Sequence, residues 1–334
     1  MAASLSLYNS LRSTPRPLHH VLINDCTLRE GVQGAGITLT RATAVRLAQS
    51  LAAAGVSNVQ IGMPGRSEPD RVAIEAVRDA GVPVTIEGMA TTYKATWPGE
   101  VERAARAALD ILHLFHAASA RRLEAIGMTH DEMLAHAVQS IQHARTLGPA
   151  VVFTPTDTTH VDPAFLVDLA VAVQEAGVAR IGIADTAGCA DPNGMRTVTE
   201  TVRTAVTVPI QTHCHNDLGL ALANTLASIE AGASITDVTV LGLGERAGNA
   251  ALDEVAVALG LLYGIDTGVK LNRLTRLAAE VAEILDVPLP AMKPLVGPRA
   301  FRHQFGIHAR EPGAFEPIPP ETVGNIRRIG DTSS

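Results

Sequence analysis

The sequence predicts an α/β chain folded as a (β/α)₈ TIM barrel with a short C-terminal helical and extended arm. Three observations predict it: eight β-branched runs alternate with Ala-rich helical stretches, polar residues collect where those runs end, and no glycine-rich phosphate turn follows the first run. The strand candidates are 20–26, 58–63, 83–88, 110–116, 150–154, 179–184, 208–213 and 236–241. Helical patterns fall near 41–54, 69–80, 98–107, 130–146, 163–176, 192–204, 218–231 and 250–263. Strict alternation implies parallel strands joined by right-handed crossovers. Eight such units argue for closure, since an open doubly wound sheet usually stops sooner and carries GxGxxG after its first strand. Here that turn reads DCTLREG.

A barrel gathers its reactive groups at the C-terminal ends of its strands. The polar residues fit: Asp25, Arg29 and Glu30 after the first strand, Asp157 after the fifth, Asp185 and Thr186 after the sixth, His213, His215 and Asp217 after the seventh, and Glu245, Arg246 and Asn249 after the eighth. Charges at a half-buried rim cost free energy unless a metal, a substrate or another charge pairs with them.

Composition narrows the function. Of the 334 residues, 46% are hydrophobic, 18% charged and only 3% aromatic, so Val, Ile, Leu and Ala must fill a sizeable core. A net charge of −7 with no basic run argues against a nucleic-acid partner. No apolar run approaches the roughly 20 residues needed to span a bilayer, so no membrane partner is expected. Cys26, Cys189 and Cys214 form no CxxC pair, which predicts a reduced, cytoplasmic setting. Three regions are expected: a flexible N-terminal tail at 1–18, the catalytic barrel at 19–264, and a C-terminal helix and arm at 265–334. The arm carries a helix near 271–285, a Pro-rich segment at 287–298, and an aperiodic stretch with two histidines that is expected to lie over a barrel mouth, its own or a neighbour's.

His213 and His215 sit in HCHND at the end of the seventh strand. Residues two apart on a strand share a face, so both imidazoles can look into the barrel while Cys214 looks out. Paired imidazoles bind divalent metals when a carboxylate completes the set. Glu30 is the available donor, because in a closed barrel only the eighth strand separates the first from the seventh. The alternative is two histidines hydrogen-bonded at a strand end. A mixed nitrogen and oxygen set keeps open positions, which suits a Lewis acid that a chelating 2-oxo or hydroxy acid can approach. Mg²⁺, Mn²⁺, Co²⁺ and Zn²⁺ all tolerate such a set. Arg29 beside it can stabilise developing negative charge, or can be bound in a salt bridge to Asp25 or Glu30.

These residues carry a resemblance. DCTLREGVQ (25–33) resembles the first-strand signature of the DRE-TIM metallolyase superfamily of TIM barrels. Residues 213–255, with GERAGNA, are similar to the second signature of its Claisen-condensing branch, the isopropylmalate, citramalate and homocitrate synthases. They differ from the cysteine-bearing loop of hydroxymethylglutaryl-CoA lyases. VGPRAFRHQFGIHA (296–309) resembles the synthases' arm. The resemblance implies metal ligation by Glu30, His213 and His215 with Asn249 close by, and Arg29 as electrostatic catalyst. It also implies Gln33 near the substrate carbonyl, Thr186 on the 2-oxo acid carboxylate, His308 assisting deprotonation of acetyl-CoA from its own or a partner subunit, and Glu245 orienting His308. A homodimer and two small-molecule partners, a 2-oxo acid and an acyl-CoA, follow from it.

The departures from that pattern lie in the acceptor pocket. Thr154 and Thr156 are expected to line it, and Thr156 stands where the synthases carry a glutamate. Val152 stands where homocitrate synthases often have arginine, Val32 where a second glutamate is common, and Phe315 where a tyrosine precedes the proline turn. Three functions remain in view: condensation of acetyl-CoA with a 2-oxo acid to a 2-substituted malate, metal-dependent cleavage of a hydroxy or hydroxy-oxo acid without CoA, and a non-catalytic metabolite-binding barrel.

Overall fold

The computed structural model describes residues 20–330, together with Ser6 and Asn9. The tail expected at 1–18 otherwise lies outside the described residues. Eight parallel strands close into a barrel in sequence order: β1 (Leu22–Asp25), β2 (Asn58–Gln60), β3 (Thr85–Thr91), β4 (Ile111–Ala117), β5 (Ala150–Thr156), β6 (Arg180–Asp185), β7 (Ile210–Cys214) and β8 (Ile235–Val238). β1 pairs with β8 from Leu22 opposite Ile235 to Asp25 opposite Val238, which joins the two ends of the sheet.

Helices follow the strands. After a helical turn that runs into α1 (Val32–Gly34) come α2 (Arg41–Ala53), α3 (Glu68–Asp79), α4 (Trp97–Ala105), α5 (Ala120–Ile126), α6 (His130–Arg145), α7 (Pro163–Ala176), α8 (Pro192–Ala205), α9 (Ala221–Glu230), α10 (Leu252–Ala258), α11 (Leu274–Leu285) and α12 (Gly306–Arg310). The sequence sets their starts. Thr40, Ser67, Asp162 and Asp191 accept hydrogen bonds from backbone N–H groups in the first turns of α2, α3, α7 and α8, and Thr129 with Glu132 forms a capping box on α6. α7 stops at Gly177, whose φ of +97° continues no helix. The core lies between strands and helices and is built from small and branched residues such as Ile23, Leu47, Ile61, Ile74, Leu112 and Ile183.

Two features differ from the sequence expectation. α5 was not expected: its ARRLEAI sequence buries only Leu123, too little periodicity to announce a helix. The helical pattern at 250–263 is not uniform either; α10 ends at Ala258 and continues as a wider turn over Leu259–Tyr263.

Beyond the barrel, α11 lies along α2, with Arg46 and Glu283 3.4 Å apart. The arm folds back on this side. Asn325 Nδ2 donates to the carbonyls of Leu295 and Gly297 at 2.9 and 3.1 Å, and Thr275 Oγ1 donates to the Val323 carbonyl at 2.7 Å. β9 (Arg302–His303) and β10 (Arg328–Ile329) form a small parallel pair. Among the described residues, no helix is long and apolar enough to cross a membrane.

Candidate active site

The mouth at the C-terminal ends of the strands holds a cavity of about 570 Å³. On one side β7, β8 and the turn after β1 bring Glu30, His213 and His215 together, with one donor atom of each within 4.8 Å of the others. His213 Nε2 faces His215 Nε2 at 3.3 Å, and His215 Nε2 lies 3.8 Å from Glu30 Oε1. His213 Nδ1 is hydrogen-bonded to Asp237 Oδ2 at 3.0 Å, which leaves the Nε2 lone pair for the cavity. Asp237 is itself held by Asn24 Nδ2 at 2.8 Å and Gln211 Nε2 at 2.6 Å. Cys214, between the two histidines, points outward to Thr212 and Thr225 and is buried.

The donors suit a divalent cation. Burial opposes the ionisation of Glu30, yet the charges of Arg29, His213 and His215 outweigh it and hold its carboxyl below the usual range. Burial and the neighbouring His213 push His215 down, so its imidazole is neutral and can donate a lone pair. The buried Asn249 Oδ1 has no hydrogen-bond partner, while Asn249 Nδ2 donates to the Leu243 carbonyl at 3.2 Å. Cys26, His213 and Asp237 form a second group of the same compactness. Burial and nearby Asp237 push the Cys26 thiol well up, so it keeps its proton, and the Glu30 set is the better donor.

Arg29 pairs with Glu30, and its Nε donates to Gln60 Oε1 at 2.5 Å. It therefore makes the ion pair the sequence allowed and still lines the cavity. The Glu245 backbone N–H donates to Glu30 Oε1 at 3.3 Å, tying the loop after β8 to the turn after β1. Two glycines allow that approach. A Cβ on Gly34 would lie 2.1 Å from the Gly244 carbonyl, and Gly244, at φ +153°, has Asn249 Nδ2 where its own Cβ would stand.

Gln33, Thr154, Thr156, Thr186 and Glu245 all line the cavity. Thr154 Oγ1 is 2.7 Å from His113 Nε2, Thr156 Oγ1 donates to the His116 carbonyl at 3.3 Å, and Thr186 Oγ1 accepts from the Asp157 N–H at 2.8 Å. Val152 is not part of the lining. His160, after β5, stands between Asp157 (3.0 Å) and Cys189 (3.8 Å). His308 is exposed on the arm, stacked on Phe315 with ring centres 3.8 Å apart, and does not line this chain's cavity. Glu245 and His308 are thus not brought together within one chain.

Several residues escaped sequence reading. Under the cavity, Glu87 is ringed by Arg180, Gln60 and His113, the last at 2.6 Å. Burial opposes its charge, but Arg180 and His113 prevail and hold the carboxyl low. Asp237, Glu87 and His113 were detectable as charged or polar residues inside otherwise apolar strands, in step with the inward-facing positions. Met63, Met89, Tyr93, Phe115 and Ile126 line the opposite side and gave no signal beyond ordinary core composition.

A closed parallel barrel whose mouth gathers a carboxylate, two imidazoles and an arginine defines a TIM-barrel chain with a candidate divalent-cation centre. The HMGL-like family profile matches residues 20–281, and the chain belongs to that family. It is 38% identical over 316 residues to the 2-isopropylmalate synthase of Sulfolobus acidocaldarius, covering 92% of this chain and 81% of that one. It is 37% identical to homocitrate synthase AksA of Methanopyrus kandleri, covering 92% and 78%. The chain spans about three fifths of other relatives, such as 61% of one from Methanosarcina acetivorans that is 35% identical over 92% of this chain. The HMG-CoA lyase of Bacillus subtilis shares the fold, with a TM-score of 0.72 at 23% identity over 83% of this chain and 97% of that one.

Proposed function

We propose that the chain is a divalent-metal-dependent transferase that condenses acetyl-CoA with a 2-oxo acid to give a 2-substituted malate. The observation that carries this reading is the convergence of Glu30, His213 and His215 beside Arg29 on one wall of the mouth cavity. The synthase names of the relatives at 37–38% identity support it. Glu30, His213 and His215 would hold the cation, with Asn249 close to it, and a cation bound there supplies Lewis-acid polarisation of the acceptor ketone. Asp237 fixes the His213 tautomer. Arg29 stabilises negative charge as it grows on the ketone oxygen. Gln33, Thr154, Thr156 and Thr186 contact the acceptor.

In the reaction a base removes a proton from the acetyl methyl group, the resulting carbanion bonds to the ketone carbon, and that oxygen ends as a hydroxyl. Water then cleaves the thioester, releasing the CoA thiol and a second carboxylate. His308 is the proposed base. Its exposure on the arm supports service at the mouth of a second copy, in a homodimer where Glu245 of that copy orients it. The three free cysteines accord with a reduced, cytoplasmic setting.

Free-thiol release from acetyl-CoA, assayed across a panel of 2-oxo acids with cation-loaded protein, tests the reading. Release with at least one acceptor is expected; none with any acceptor overturns it. One observation favours a second reading, cleavage of a hydroxy-oxo acid without CoA: Thr156 bonds a backbone carbonyl where a carboxylate would serve condensation. Pyruvate or oxaloacetate appearing from a hydroxy acid in the absence of CoA would select that reading.

A further inference from the structure

The cavity is chemically lopsided. Its β7–β8–β1 side carries Glu30, His213, His215 and Arg29, whereas the facing side, built from β3, β4, the segment after β2 and α5, presents mainly Met63, Met89, Tyr93, Phe115 and Ile126, with His113 and Arg122 as its charged or polar members. In an eight-stranded barrel β7 stands opposite β3, and β8 opposite β4. Strands about 4.8 Å apart and tilted by about 36° give a backbone diameter of about 15 Å. Side chains from both walls occupy most of that width. A ligand whose carbonyl and carboxylate sit at the polar side therefore crosses to the apolar side only with a chain of several carbons.

The floor between the two sides stays low. β6 contributes Gly182 and Ala184, and a Cβ on Gly182 would lie 1.8 Å from Thr154 Oγ1. The glycine keeps Thr154 bonded to His113, which removes that hydroxyl from recognition of a polar tail. The charges near the apolar wall are engaged as well. Glu87 is neutralised by Arg180, and Arg66 is bonded to Glu100 and Thr91 beneath Tyr93. Arg246 is hydrogen-bonded to Asp217, whereas Arg122, which lines the cavity, is half exposed at the rim and makes only a 3.7 Å approach to Asp157. A distal carboxylate would lose its water against methionine and phenylalanine with the half-exposed, solvent-screened Arg122 as its candidate partner, a poor exchange for its hydration. A hydrocarbon tail meets no such penalty and gains from leaving water.

We infer that the acceptor is a 2-oxo acid with an extended, uncharged hydrocarbon side chain, branched or ending in a ring, seated on Met89, Phe115 and Ile126. This rests on the condensation reading for which atoms sit at the polar side, and it adds the chemistry of the tail. The short methyl of pyruvate leaves the apolar wall uncovered, and the second carboxylate of 2-oxoglutarate or oxaloacetate is rejected by it.

Calorimetric titration of Mn²⁺-loaded protein with 4-methyl-2-oxopentanoate, phenylpyruvate, pyruvate and 2-oxoglutarate tests the inference, run beside the thiol-release assay on the same acids. The two apolar acids are expected to bind at least about tenfold more tightly than the other two, since even one methylene in an apolar pocket is worth about tenfold or more. Phe115→Ala should reduce that preference at least about tenfold. Ile126→Ser, at a rim position that is 41% exposed, should reduce it too, and serves if Phe115→Ala does not fold. Equal or tighter binding of 2-oxoglutarate or pyruvate, or no binding of either apolar acid, overturns the inference. Thiol release with dicarboxylates alone overturns it while leaving condensation standing. Preferential binding of apolar acids without thiol release overturns condensation and leaves the tail assignment in place.

Discussion

The β7–β8–β1 half of the mouth and the β2–β4 half with α5 are built from the same repeat, yet they carry opposite chemistry. In the first, Asp237, Gln211 and Asn24 form a buried scaffold of hydrogen bonds under His213. In the second, Met63, Met89 and Phe115 reach the cavity with no polar group of their own. The polar half must be held in one geometry, because unpaired charge in low dielectric is costly and a misdirected imidazole binds nothing. The apolar half needs only shape, and methionine adapts its shape at little cost. A barrel can thus retain one half and alter the other without rebuilding its frame.

The sharpest way to break this division is to remove a donor from the polar half. His213→Ala should weaken Mn²⁺ binding by more than about 100-fold, beyond the 10–100-fold typical of losing an outer-shell partner, while far-ultraviolet circular dichroism stays native. Elemental analysis after dialysis reads it, and an unchanged metal content would sink the assignment of Glu30, His213 and His215. Arg29→Ala should lower kcat by about 10²–10³-fold, the usual cost of losing an oxyanion stabiliser. A near-normal kcat would reduce Arg29 to the partner of Glu30. Asp237→Asn keeps the size of the side chain but weakens its hold on His213 Nδ1, and should cost about 10–100-fold in Mn²⁺ affinity with little change in preference among acceptors. A shift in that preference would mean the two halves are not independent.

A further effect, on stability rather than on binding or rate, concerns pH. Burial raises the Asp25 carboxyl to about 7 against the opposing bonds from Thr27. Folded Asp25 therefore holds a proton that the unfolded chain releases near pH 4. Its unfavourable contribution is absent below pH 4, grows as pH rises, and is complete above pH 7. Asp25→Asn should gain stability relative to wild type between pH 4 and pH 7, on the order of 3–4 kcal/mol. Urea melts of cation-free protein at the two pH values measure it, and a pH-independent difference would show that Asp25 is ionised throughout.

The same division explains what could be read from the sequence. The convergence of Glu30, His213 and His215 was legible because charged and polar residues at strand ends cost free energy unless a metal, a substrate or another charge pairs with them. The barrel was legible because eight runs alternate with helices whose caps, such as Thr129 with Glu132, are local. Met89 and Phe115 were illegible, since an apolar side chain facing a cavity and one facing a helix look alike in a strand. α5 was hidden for a related reason: seven residues with one buried leucine leave no periodic trace. The position of His308 depended on how the arm packs against α11, a long-range arrangement that no short pattern encodes.

The bond from the Glu245 N–H to Glu30 spans 215 positions of the chain. The ribosome therefore finishes the acidic turn long before the segment that buttresses it exists. Until β8 docks beside β1, the two imidazoles at the end of β7 have no Glu30 beside them. A cation held there, as proposed, would favour only the finished cylinder, adding to its equilibrium advantage over the unfolded chain by mass action.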